Sequence, residues 1–65
     1  MRLQINGEEH ELDVVTLKDV VKHFSLQEGL VVTEVDGIIV DRLHWIDTNV
    51  HDGMRIELVH FVGGG

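Results

Sequence analysis

Met1, Leu3 and Ile5 alternate with Arg2 and Gln4 at the start of the chain. Apolar residues at a period of two predict a strand with one buried face. Asn6-Gly7 follows. This pair readily supplies the positive φ that a type I′ turn needs at both of its central positions. The chain then returns over Glu9 to Val14, with Leu12 and Val14 inward and Glu11 and Asp13 outward. An opening β-hairpin is expected.

The period then changes. Leu17, Val20, Val21 and Phe24 fall at i, i+3, i+4 and i+7, one stripe of a helix, with Lys18 and Lys22 on the other side. Thr16 stands where its hydroxyl caps the first turn, and Asp19 follows three residues later, a variant of the capping box. The helix is expected to fray between Ser25 and Gly29, with Gly29 as its stop. Leu30 to Val35 is rich in β-branched residues, Asp36-Gly37 turns it, and Ile38-Ile39-Val40 returns as a second hairpin. The inward face of Leu30 to Val35 stays open, because Thr33 and Glu34 put a polar residue on each side.

Asp41 to Gly53 is a polar connector, in which Leu43, Trp45 and Ile46 are expected to fold back over the core. Asp52-Gly53 turns into a last strand from Met54 to Val62. There Met54, Ile56, Leu58, His60 and Val62 share the core side. Arg55, Glu57, Val59 and Phe61 share the other.

The order β-β-α-β-β-β, with one helix to cover one face, predicts an α+β fold of the β-grasp (ubiquitin-like) type. A mixed sheet of about five strands would wrap one helix, the last strand lying centrally beside the first. The domain is expected over residues 1–62, with 63–65 a flexible C-terminal glycine tail. No repeat or linker interrupts it.

Composition narrows the chemistry. Sixty-five residues allow one domain, and a chain of this size buries only about 60% of its unfolded surface. That leaves little room for a deep catalytic cleft, and the chain is expected not to be an enzyme by itself. The absence of cysteine removes disulfides, thiolates and zinc-thiolate sites, and fits a reducing cytoplasm. No stretch approaches the ~20 apolar residues of a membrane span, and Met1 to Gly7 reads as a strand rather than a signal peptide. Twelve acidic residues against five basic give a net charge of −7. Such a surface repels nucleic acid and suits basic partner surfaces. The five histidines, His10, His23, His44, His51 and His60, show no ligand spacing on one helix. A metal site needs three or four convergent ligands, so none is expected.

The candidate chemistry lies at the C-terminal end. Gly63-Gly64-Gly65 follows the last strand directly. Three extended residues reach about 10 Å, and glycine leaves no Cβ to obstruct a narrow channel. The Gly65 carboxylate is therefore the expected reacting group, with Gly64 beside it. Val59 and Phe61, apolar on the solvent face, are expected to form with Val62 and Gly63 a docking surface that aims the tail into a partner. Slack at a terminus, or another segment covering Val59 and Phe61, is the plainer alternative.

The Asn6-Gly7 hairpin, Val35-Asp36-Gly37-Ile38-Ile39-Val40, Arg42-Leu43-His44-Trp45, the Asp52-Gly53 turn and Phe61-Val62-Gly63-Gly64-Gly65 come in an order that resembles the sulfur carrier proteins of thiamin biosynthesis, the ThiS family. The resemblance spans the chain. It departs at Asp41, where members often carry a proline before the arginine.

The resemblance implies that an E1-like adenylyltransferase activates the Gly65 carboxylate with ATP and Mg. A persulfide protein then supplies sulfur, and the resulting thiocarboxylate donates it to thiazole synthase. It implies a carrier that is a monomer when free, with no cofactor of its own. Two alternatives remain open: a carrier like the small subunit of molybdopterin synthase, and a ubiquitin-like modifier or interaction module.

Overall fold

The computed structural model describes residues 1–61. Its elements are β1 (Arg2–Ile5), β2 (Glu8–Glu11), α1 (Leu17–His23), β3 (Val31–Val35), β4 (Ile38–Val40) and β5 (Arg55–His60), with 3-10 turns at Glu28–Leu30 and Arg42–Asp47. The five strands form one mixed sheet in the order β2-β1-β5-β3-β4. β1 and β5 run parallel in the middle, and every other pairing is antiparallel. This is the β-grasp arrangement expected from the order of elements.

Both hairpins close as their turn residues require. Asn6 and Gly7 take φ of 52° and 81°, and Asp36 and Gly37 take 49° and 87°. Register then decides the faces, because directly opposed residues point to the same side. Thr33 pairs with Leu58 and Val40, so Thr33 faces the core and Glu34 does not.

The core joins Leu3, Ile5, Ile56 and Leu58 of the sheet to Leu17, Val20 and Val21 of α1, with Trp45, Val50 and Met54 closing one end. Thr33 is its one buried polar residue among those described. Its hydroxyl donates to the Val40 carbonyl at 2.7 Å and accepts from Trp45 Nε1 at 2.9 Å. Burial of a hydroxyl and an indole N–H is tolerated because each has a partner.

α1 starts as expected. Thr16 accepts from the Asp19 N–H, and Asp19 Oδ2 accepts from the N–H groups of Val15 and Thr16. Its end differs from the expectation. Gly29 is not the stop; it lies inside the 3-10 turn. The chain leaves the helix at Ser25, which adopts φ of 55°. The Ser25 N–H donates to the Lys22 carbonyl and the Leu26 N–H to that of Val21, a Schellman closure. Leu26 then packs on the core. That contact and the two hydrogen bonds offset the strain of a non-glycine residue in the left-handed region.

The connector is also corrected in part. Trp45 is buried, but Leu43 and Ile46 are 79% and 59% exposed. A 3-10 turn has three residues per turn, so it delivers about one side chain in three to a given side. Trp45, the largest, takes the core position. The connector is strapped to the start of α1 by Leu17 N–H to the Thr48 carbonyl and Val50 N–H to that of Val15.

Two outcomes test these contacts. Thr33→Val keeps the shape and removes the hydroxyl, and is expected to cost about 1–2 kcal/mol in urea unfolding. The N–H donors of Thr16 and Val15 hold the Asp19 carboxyl below its ordinary value of 3.8. A depressed folded pKa stabilises above the unfolded value, and the contribution is lost as pH falls through the folded one. Wild-type stability should therefore fall below pH 3.8 more steeply than that of Asp19→Asn, as read from thermal melts across that range.

Candidate functional site

The last strand is the element that carries the candidate chemistry, and the fold holds it from both sides. β1 supplies its parallel neighbour only as far as Asn6, whose N–H donates to the Ile56 carbonyl at 2.9 Å. There the chain must turn into the first hairpin. The Asn6 side chain then takes over the missing strand position. Its Oδ1 accepts from the Leu58 N–H at 2.8 Å, and its Nδ2 donates to the Leu58 carbonyl at 3.2 Å. One side-chain amide thus continues the ladder past the end of β1.

On the other side, β3 pairs with β5 from Val35 opposite Ile56 to Val31 opposite His60. The Phe61 N–H adds a bond of 2.8 Å to the Leu30 carbonyl, and His60 Nε2 accepts from the Gln27 N–H at 3.2 Å. Hydrogen bonding to β3 and its approach thus continues from β5 to Phe61. Val62, Gly63, Gly64 and Gly65, on which the expected reacting group and half of the expected docking surface fall, lie outside the described residues.

Val59 and Phe61 are 50% and 54% exposed on the face away from α1. Among the described residues, no segment covers them. Tertiary pairing adds residues that the sequence reading did not assign. Val32 stands directly opposite Val59, and Ile39 opposite Glu34 on the same face. Both are exposed. A shallow depression of about 370 Å³ borders them, with Gly29 and Leu43 on its rim. The apolar face thus spans three strands instead of one. The second hairpin held the signal for it, but only the β3–β5 register brings Val32 to Val59.

Met54, Ile56 and Leu58 lie in the core as expected for their side of β5, but His60 of the same side does not. It is exposed, at the margin of the sheet, and acts as a hydrogen-bond acceptor. His10 and His23 set their rings edge-on to Phe24 at 5.5 and 5.0 Å. Among the described residues, no group of three or more His, Cys, Asp or Glu side chains is placed to hold a metal ion. No described helix is long and apolar enough to cross a membrane.

Comparison with known proteins agrees with this geometry. Residues 3–65 match the ThiS family. The sulfur carrier protein ThiS of Bacillus subtilis (strain 168) is 32% identical over 65 residues, covering 97% of this chain and 98% of that protein. The uncharacterized protein ycf40 of Trieres chinensis is 31% identical over 62 residues, covering 94% of this chain and 85% of its own length. The crystal structure of the thiamine biosynthesis protein ThiS from Geobacter metallireducens superposes with a TM-score of 0.83 at 28% identity, covering all of both chains.

Asn6→Gly tests the bridge to β5. Glycine keeps the positive φ and removes both side-chain bonds, so the loss is expected at about 1–2 kcal/mol. Amide exchange at Leu58 should accelerate more than exchange in α1.

Proposed function

The chain belongs to the ThiS family, and on that premise we propose that it is a sulfur carrier of thiamin biosynthesis that bears its sulfur on the Gly65 carboxylate. The observation that carries the reading is a family match that runs through residue 65. The anchored β5 and its apolar face support it, since they offer a rigid grip beside a thread of glycines.

The chemistry follows from the acceptor. A terminal carboxylate has a pKa of about 3.5 and is an anion at neutral pH. Anions resist nucleophilic attack. An E1-like adenylyltransferase, supplying ATP and Mg, converts the carboxylate to an acyl adenylate and releases pyrophosphate. The charge is removed and AMP becomes the leaving group. The terminal sulfur of a persulfide protein attacks the carbonyl carbon and AMP departs. A thiol then cleaves the S–S bond and is oxidised to a disulfide, leaving the thiocarboxylate. Thiazole synthase accepts that sulfur.

In this scheme the chain contributes recognition and reach, and the partners contribute catalysis. Val59, Phe61, Val62 and Gly63 dock, while Gly64 and Gly65 enter the channel. A backbone terminus as sulfur acceptor also accounts for a carrier without cysteine. Similarity to proteins named for thiamin synthesis favours thiazole over a pterin as the destination of the sulfur.

Intact mass after incubation with the E1-like enzyme, ATP, Mg and a sulfur donor is expected to rise by about 16 Da, one oxygen replaced by sulfur, with no rise once Gly65 is deleted. Gly64→Val should fold normally and acquire sulfur roughly a hundredfold more slowly, because its Cβ displaces the carboxylate from the reacting geometry. Undiminished sulfur transfer by that variant would falsify the threading argument.

A further inference from the structure

The face of the sheet opposite α1 carries two carboxylates side by side. Glu34 of β3 and Glu57 of β5 are directly opposed on the two strands. Opposed side chains have Cβ atoms about 5 Å apart, and like charges there are destabilising. Glu34 is also half-buried. Among the described residues, neither carboxylate forms an ion pair or accepts a hydrogen bond. The ion pairs present lie elsewhere, between the N-terminus and Glu11, Arg2 and Glu9, and Lys18 and Glu28. Arg55 is two residues before Glu57 on the same face and forms no ion pair with either glutamate.

The surroundings say what would satisfy this pair. One step towards Phe61 lies the Val32–Val59 pair, and beside Glu34 lies Ile39. An anionic centre bordered by exposed aliphatic side chains matches a guanidinium, whose planar fork binds carboxylates and whose faces rest on apolar surface. A second copy of this chain is a poor occupant, since both copies carry a net charge of −7.

We propose that the Glu34–Glu57 pair is the receiving site for an arginine of the E1-like partner, and that Val32, Ile39 and Val59 form its apolar border. This rests on the reading of the chain as a carrier activated by such an enzyme. It gives the docking face a specificity element beyond its apolar residues. The opposed carboxylates lower the stability of the free domain and are relieved only in the complex.

The test compares wild type, Glu34→Gln/Glu57→Gln, and Glu8→Gln/Asp13→Asn, which removes the same charge at the far edge of the sheet. Melting temperature is read for each, along with affinity for the purified E1-like enzyme of the same organism at low and moderate salt. The Glu34/Glu57 variant is expected to melt about 1–5 °C higher than wild type. It should bind the enzyme roughly ten- to a hundredfold more weakly at low salt, with a flatter salt dependence. The far-edge variant should bind within about threefold of wild type. Equal weakening in both variants would reduce the effect to net charge and overturn the site. Unchanged affinity of the Glu34/Glu57 variant, with wild type binding normally, would overturn the site and leave the carrier reading intact. No binding by wild type would overturn both. Self-association of wild type that the Glu34/Glu57 variant abolishes would assign the face to a second copy and also overturn the proposal.

Discussion

Parallel pairing of the first and last strands is the constraint on which the rest of this molecule depends. Two strands that run the same way side by side cannot be joined by a turn. The intervening chain must leave the sheet, cross it and come back. Here that excursion contains α1, the second hairpin and the connector around Trp45. The helix packs over the sheet on the way out, and Trp45 closes the core on the way back. The last strand arrives in the centre, with neighbours on both sides. A strand so placed is the most firmly held position for an element that must present whatever follows it.

The anchoring of β5 shows how the constraint is met locally. β1 is short because it must turn, so on that side it leaves β5 without a backbone partner beyond Ile56. Asn6 solves both problems with one residue. Its backbone accepts the positive φ of the turn, and its amide bridges both polar groups of Leu58. Asparagine is suited to both tasks, since it tolerates the left-handed region and carries a donor and an acceptor. On the far side, the Leu30 carbonyl accepts from the Phe61 N–H and the Gln27 N–H donates to the His60 ring. Among the described residues, no segment covers the face of β5 turned away from the helix. That face carries an apolar strip over three strands and an unrelieved pair of carboxylates. An exposed apolar strip of this kind is consistent with a surface that spends part of its life covered.

Much of this was legible in the chain. Asn6-Gly7, Asp36-Gly37 and Asp52-Gly53 are local signals, because turn conformation depends on the residues of the turn itself. Thr16 with Asp19 is local for the same reason, and the alternation of β1 and β5 follows from a period of two. These features determined the order of elements, the helix start and the exposure of Val59 and Phe61. The glycine run and the absence of cysteine identified the chemistry to look for.

Tertiary structure decided what depends on register and competition for space. Thr33 faces inward because β5 and β4 set the pairing of β3, and its hydroxyl is tolerated there because Trp45 reaches it. Trp45 faces the core and Leu43 and Ile46 do not, because those two lie three residues apart and share another face of the 3-10 segment. Ser25 ended the helix ahead of Gly29 because Leu26 found a core contact that offset the strain at Ser25. The meeting of Val32 with Val59, and of Glu34 with Glu57, joins residues more than twenty positions apart in the sequence. Patterns along a chain report which side a residue faces, and the pairing of strands alone determines what it faces there.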